Sequence, residues 1–225
     1  MNQHIPVVCV DGPSGAGKGT LCRLLQIESG FHLLDSGAMY RLAAVGSLKS
    51  GINLDNELAV AEEAKKLNIE FKVDDEHIRV MLNGEDVTSD IRTEQAGMGA
   101  SQVAAHPQVR EALLQCQRDF KKSPGLIADG RDMGTVVFPD APVKIFLTAS
   151  AEERAKRRKL QLDESGQSVD YKKILSDIQA RDEKDMNRSS APLKPADDAI
   201  VLDSTQLNIK EVFAVVLNEM KRKSI

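Results

Sequence analysis

Between the apolar run Ile5 to Val10 and a helical segment beginning near Leu21 lies Gly12-Pro13-Ser14-Gly15-Ala16-Gly17-Lys18-Gly19-Thr20. This stretch constrains the fold more than any other. A glycine-rich turn between a buried strand and a helix lets successive backbone N–H groups converge on one phosphate, while the helix N-terminus and a lysine add positive charge. An ordinary tight turn needs neither the lysine nor both fixed glycines. The pattern G-x-x-x-x-G-K-[ST] holds from Gly12 to Lys18, but Gly19 stands where the hydroxyl belongs and the hydroxyl moves to Thr20. Thr20 on the first helical turn either supports the loop or holds a magnesium-bound water.

Val7 to Val10 reads as a central strand buried on both faces. Leu21, Leu24 and Leu25 predict a helix that Gly30 stops, and 31–35 a second strand. Ser36-Gly37 then caps a helix ending near Gly51. Strand and helix alternating at this spacing predict an α/β fold in which a parallel sheet is flanked by helices. Ile69, Phe71 and Val73, then Ile78, Val80 and Leu82, alternate with polar residues, and Asn83-Gly84 supplies a hairpin turn, so a small antiparallel β meander at about Leu67 to Asp90 is inserted in the core, within a subdomain expected at 62–104. The Ala, Gly, Ser and Gln-rich segment 95–105 carries no periodicity that places it. Pro107 opens a helix with the stripe Val109, Leu113, Cys116 and Phe120. Residues 126–129, 143–147 and 200–202 complete a sheet of five strands. Ser150 with Glu153 forms a capping box, Asn208 with Glu211 opens a terminal helix, and Ser168 caps a helix running to about Asn187.

Bulk composition excludes several classes. The 225 residues are 41% hydrophobic, enough for one domain spanning 1–225. Net charge is -4 despite 30 Lys and Arg, and Trp is absent, so neither a whole-molecule cationic field nor a stacking platform favours nucleic acid. Three scattered cysteines without a C-x-x-C pair predict reduced thiols and a cytoplasmic setting. No apolar run is long enough to cross a membrane. No apolar stripe is left over to demand a partner, so the expectation is a monomer.

Chemistry concentrates in a few places. Asp129 ends an apolar strand, where ligands bind in an open parallel sheet, and Arg131, Asp132 and Thr135 share its turn. Arg154, Arg157 and Arg158 fall at i, i+3 and i+4 of one helix, and the polar, glycine-containing stretch Leu162 to Gln167 suggests a mobile helical lid at 154–167. A cationic helix face is ordinarily just solvated, so this reading depends on the lid. Ile174 and Ile178 start an apolar stripe whose continuation is Arg181, Asp185 and Arg188. Charges on the buried side must pair with one another or face a polar cleft. Arg110 flanks its own helix's stripe in the same way. The four histidines lack metal-ligand spacing, and no G-x-S-x-G elbow is present.

Residues 11–20, Leu34-Asp35-Ser36-Gly37-Ala38-Met39-Tyr40-Arg41, Ala100 to Ala104, Val109-Arg110, Asp129 to Thr135, and Arg181-Asp182 with Asp185 to Arg188 together resemble the bacterial cytidylate kinase family. Glycine then threonine after the loop lysine is similar to nucleoside monophosphate kinases generally. The resemblance implies transfer of the γ-phosphoryl group of ATP, with Mg2+, to CMP or dCMP. By it, Gly12, Pro13, Ser14, Gly15, Ala16, Gly17, Lys18, Gly19, Thr20 and Arg157 would hold ATP. Lys18, Asp129, Arg131, Arg154, Arg158 and Arg188 would act at the transferring group, and no side chain would bind the metal directly, although Asp129 lies near it. Arg41 and Arg131 with Arg188 would take the acceptor phosphate. Ser101, Arg110 and Asp132 would read cytosine, and Ser36, Arg181 and Asp185 would contact the sugar side. Two alternatives stand beside this one: the same fold acting on another small acceptor, and a slow nucleotide switch. A switch lacks use for cleft-facing arginines, and no N-K-x-D guanine-reading segment occurs.

Overall fold

The computed structural model describes residues 5–74, 77–164, 166 and 169–225. Five strands form one parallel sheet: β1 (Val7–Asp11), β2 (His32–Asp35), β6 (Leu126–Gly130), β7 (Val143–Thr148) and β8 (Ile200–Asp203). Their order is β2-β6-β1-β7-β8, so the loop-bearing strand is central as its uninterrupted apolar run predicted. The insert is a separate antiparallel sheet of β3 (Ile69–Val73), β4 (Ile78–Leu82) and the short β5 (Glu85–Asp86). Asn83 and Gly84 both take positive φ, 52° and 85°, as a tight hairpin turn requires.

Strand alternation divides the core. Val7, Cys9, Leu126 and Ala128 face a cluster built with α2 (Ser36–Lys49), α3 (Glu57–Ala64), α5 (Glu94–Val103) and α6 (Pro107–Asp119). Val8, Val10, Ile127 and Ile145 face the opposite cluster, with α1 (Lys18–Ser29) and α9 (Ile209–Arg222). The short α4 (Thr88–Ile91) joins α2 and β4 in a third cluster of Ala38, Leu42, Val80 and Ile91. The helices α7 (Ala151–Glu164) and α8 (Tyr171–Asn187) pack through Ala155, Leu162, Ile174 and Ile178. Leu162, which the sequence placed at the start of a polar flap, is therefore buried between helices.

Several local expectations are corrected. Asp35, not Ser36, caps α2, accepting from Ala38 N at 2.9 Å, and Ser36 is the first helical residue. Residues 57–64 form α3, for which no expectation existed, so residue 62 falls inside a helix. The unplaced segment is α5, whose buried face is Ala96, Gly97, Gly99, Ala100 and Val103. Small residues give little periodic hydrophobic signal, yet they let α5 lie close to α2: a Cβ on Gly99 would stand 3.0 Å from that of Ala44. The Ser150 box is half made, because Glu153 N donates to Ser150 Oγ while Ser150 N donates to Thr205 Oγ1. The Asn208–Glu211 box has both halves. Asp170 caps α8, and the expected cap Ser168 lies outside the described residues. After β6, residues Met133–Val137 form a single wide turn closed by Phe138 N donating to Met133 O at 2.7 Å.

Leu113, fully buried on α6, touches the strand cluster. Leu113→Ala should cost about 2–5 kcal/mol, read as a lower urea midpoint at constant m.

Candidate active site

At the carboxyl ends of the strands, β1 turns into the glycine loop. Gly12 has φ 144°, and a Cβ there would sit 1.9 Å from the Leu147 carbonyl oxygen of β7, so only glycine lets the loop lie this close to the neighbouring strand. Gly17, at φ 97°, delivers the chain into α1. Lys18 is buried, donates to Pro13 O at 3.0 Å and approaches Asp129 to 3.8 Å. Asp129 stands in register with Val10 on one side and Asp35 on the other, so its side chain shares the α1 face of the sheet. Burial pushes the Asp129 carboxyl up to about 7, opposed by Lys18. Burial, aided by Arg131, brings the Lys18 ammonium down to about 8. A Cβ on Gly19 would begin 3.9 Å from the Asp129 carboxylate, so glycine leaves room between the helix and that strand end.

The loop opens onto a cleft of about 670 Å³. Ser14, Gly15, Ala16, Gly17, Lys18, Gly19 and Thr20 form one wall; the predicted Gly12 and Pro13 do not line it, and Pro13 contributes its carbonyl to Lys18. Asp129 stands beside Lys18, and the lining continues with Ser36, Arg41, Ser101, Arg131, Asp132, Arg181, Asp185 and Arg188, gathered from α2, α5, β6 with its turn, α8 and the residue after α8. The charged continuation of the α8 stripe thus does face a polar cleft. Asp185 is buried and accepts from Arg131 Nε at 3.0 Å. Burial works against the charge of Arg131, but the attraction and hydrogen bond of Asp185 leave its guanidinium above the ordinary value.

Asp132, 2% exposed, lies between two arginines. Arg110 donates directly to it from behind the cleft wall, stacked over the Tyr40 ring at 5.8 Å, and Arg188 approaches to 3.8 Å. One terminal nitrogen of Arg188 and the Ser101 hydroxyl are buried without a hydrogen-bond partner. Such groups are costly unless a ligand satisfies them. Arg41 donates to Ile91 O at 2.7 Å and Thr93 O at 3.1 Å, and burial followed by the repulsion of Arg181 brings it down to about 10. A Cβ on Gly97 would come within 3.1 Å of Arg41 and 3.3 Å of Arg181, so α5 roofs these two cations only because it has glycine there.

The α7 arginines do not act as one cationic face. Arg154 is buried, donating to Ala149 O at 2.9 Å, to Ser14 O at 3.1 Å and through two nitrogens to Asp182. It braces the glycine loop from outside. Arg157 bonds Glu153 and the Ser204 carbonyl and lines the cleft. Arg158 reaches Glu94 of α5, Nε at 3.0 Å. Sequence reading missed a further wall beside the loop, made by Leu147, Ser204, Leu207, Asn208, Ile209 and Val212 with Gln161. Its residues carried only the marks of a strand, a cap and a packed helix, which those roles fully explain.

The cleft therefore offers a phosphate cradle beside an apolar wall at one end and paired arginines around a carboxylate at the other. A family model described as cytidylate kinase matches residues 8–222. The cytidylate kinase of Aeromonas salmonicida is 58% identical over 217 residues, covering 96% of this chain and 94% of that protein. That of Photobacterium profundum is 54% identical over 228 residues, covering 100% of both. Among solved structures, a shikimate kinase from Acinetobacter baumannii in complex with shikimate superposes with a TM-score of 0.50 at 13% identity, over 99% of this chain and 97% of that one, a likeness of fold alone.

Because the Lys18 value is lowered, its cation is present below about pH 8 and lost above it. Affinity for ATP should fall as pH rises through that point, and Lys18→Met should bind weakly with no such limb, as read by calorimetric titration.

Proposed function

Since the chain belongs to the cytidylate kinase family, we propose how its residues divide the work of moving the γ-phosphoryl group of ATP onto CMP or dCMP, giving ADP and CDP or dCDP. Such transfers depend on holding donor and acceptor in line and neutralising the charge that spreads over the phosphoryl oxygens. ATP lies with its phosphates on Gly12 to Thr20, its adenine against Leu147, Leu207, Ile209 and Val212, and Arg157 beside it. Lys18 supplies charge to the phosphates. Arg154 keeps the loop in shape, and Arg158 exchanges Glu94 for the γ-phosphate when the lid, 154–167, comes over the donor.

The acceptor side is the segment 62–104 with α2, the β6 turn and α8. Arg41 and Arg131, with Arg188, hold the acceptor phosphate, and Ser36, Arg181 and Asp185 face the sugar. The observation that carries the assignment is the buried Asp132, clamped by Arg110 and Arg188 beside the unpartnered Ser101 hydroxyl. A carboxylate accepts from the exocyclic amino group of cytosine, and an arginine donates to the ring nitrogen and carbonyl. Uracil presents a carbonyl where the amino group would be, leaving the carboxylate repelled and unpaired, a discrimination of about 1–3 kcal/mol.

The residues present suit a divalent cation carried on the donor phosphates. Thr20 and Asp129 offer hard oxygen atoms at the loop, and magnesium that keeps most of its waters needs only one or two such protein groups. When bound it would neutralise phosphate charge. Free cysteines support a reducing cytoplasmic setting, and no helix among the described residues is long and apolar enough to cross a membrane. The working state inferred is a monomer.

ADP release should occur with CMP and dCMP as acceptors in a coupled assay, and inactivity with both, alongside turnover of AMP, UMP or shikimate, would overturn the reading. Asp132→Ala should retain ATP binding and lose at least about tenfold of the preference for CMP over UMP, compared as kcat/KM.

A further inference from the structure

Asp11, the last residue of β1, is buried on the sheet face opposite Asp129 and has no place in the division of labour above. Its two carboxylate oxygens accept from Met133 N and Gly134 N, each at 2.8 Å, across more than a hundred residues of chain. These are the first two N–H groups of the single helical turn 133–137, which Val136 N and Val137 N tie back to the Asp132 carbonyl at 2.9 and 3.2 Å. A helix's first N–H groups have no partner within it. The residue at the cap position of this turn is Asp132, and aspartate there ordinarily turns its carboxylate onto those N–H groups. It does not: the Asp132 side chain makes no cap and faces Arg110, Arg188 and the cleft instead.

We infer that Asp11 is a positioning residue that caps the 133–137 turn in place of Asp132 and so frees the Asp132 carboxylate to read the acceptor base. The inference rests on the base-reading role given to Asp132 above. Gly134 is part of the device. A Cβ on it would stand 3.1 Å from the Lys144 side chain and 3.4 Å from an Asp11 oxygen, so glycine lets the turn lie close against both. Without the Asp11 carboxylate, the two buried N–H groups would be orphaned, and the carboxylate that stands at the cap position to serve them is Asp132. Capping its own turn would draw Asp132 away from Arg110 and Arg188 and deprive both cations of their shared carboxylate. Burial, partly opposed by the Gly134 and Met133 N–H bonds, pushes the Asp11 carboxyl up to about 6, so it is chiefly the charged, doubly accepting form at neutral pH.

The test compares Asp11→Ala and Asp11→Asn with Asp132→Ala, measuring kcat and KM for CMP and UMP and the ATP dissociation constant. Asp11→Ala should raise KM for CMP and erode the CMP to UMP preference by about tenfold, the scale of a lost cap, with ATP binding held within about twofold. Asp11→Asn should fall between it and the wild type, since one amide oxygen can serve one N–H. If Asp132→Ala loses the preference while both Asp11 variants keep it, the positioning role fails and the base-reading role stands. If Asp132→Ala keeps the preference, the base-reading role itself fails. Loss of ATP and CMP affinity in equal measure would mark Asp11 as merely structural and overturn the inference. Should the variants not fold, amide exchange in the wild type decides: Met133 and Gly134 should be strongly protected without ligand, and exchange at exposed-loop rates would overturn the inference.

Discussion

Six cations, Lys18, Arg41, Arg131, Arg157, Arg181 and Arg188, line one cleft. Burial lowers Lys18, Arg41, Arg181 and Arg188, and repulsion adds to it: from Arg131 on Lys18 and Arg181, from Arg181 on Arg41, and from Arg110 on Arg188. The arrangement survives because most of them are tethered to oxygen atoms from elsewhere in the chain: Lys18 to Pro13 and near Asp129, Arg131 to Asp185, Arg41 to two carbonyls, Arg188 to Ala191 O and near Asp132. A cleft so built is preorganised for phosphates, which relieve the repulsion on binding and cost little reorganisation.

The sheet distributes this chemistry by parity. At the end of β6, Asp129 points to the α1 face and meets Lys18, whereas Arg131 and Asp132, in the turn that follows, line the side proposed for the acceptor. At the end of β1, Asp11 points the other way and holds that turn. Two adjacent parallel strands thereby connect the phosphate loop to the acceptor wall through backbone hydrogen bonds and two carboxylates on opposite faces. The ends of the cleft proposed for donor and acceptor are joined by the same pair of strands, which suits a reaction governed by alignment.

Much of this was legible beforehand. The five strands and the insert followed from period-two and unbroken apolar runs, because strand burial is written directly in residue type. The polar continuation of the Ile174–Ile178 stripe was legible too, since a helix repeats its faces whatever residues occupy them. The α7 arginines were not, because long side chains on one face can end in different places: Arg154 turns under the loop, Arg157 stays at the cleft, and Arg158 crosses to α5. The helix α5 escaped because glycine and alanine bury a face without hydrophobic bulk, and the apolar wall at 204–212 because packing and capping already accounted for its residues.

The sequence by itself determined the phosphate loop, the α/β order and the family, because each depends on spacing along a single stretch or on blocks in a given order. Only the tertiary structure decided which charge faces which. Asp11 beside Gly12 reads as the end of a strand, and Asp132 reads as a natural cap for its own turn. That Asp11 takes over the cap, leaving Asp132 to Arg110 and Arg188, depends on how β1, the turn after β6, α6 and the residue after α8 meet in space. The phosphate loop is local, but the residues proposed to choose its acceptor are assembled by long-range contacts, which no spacing along the chain encodes.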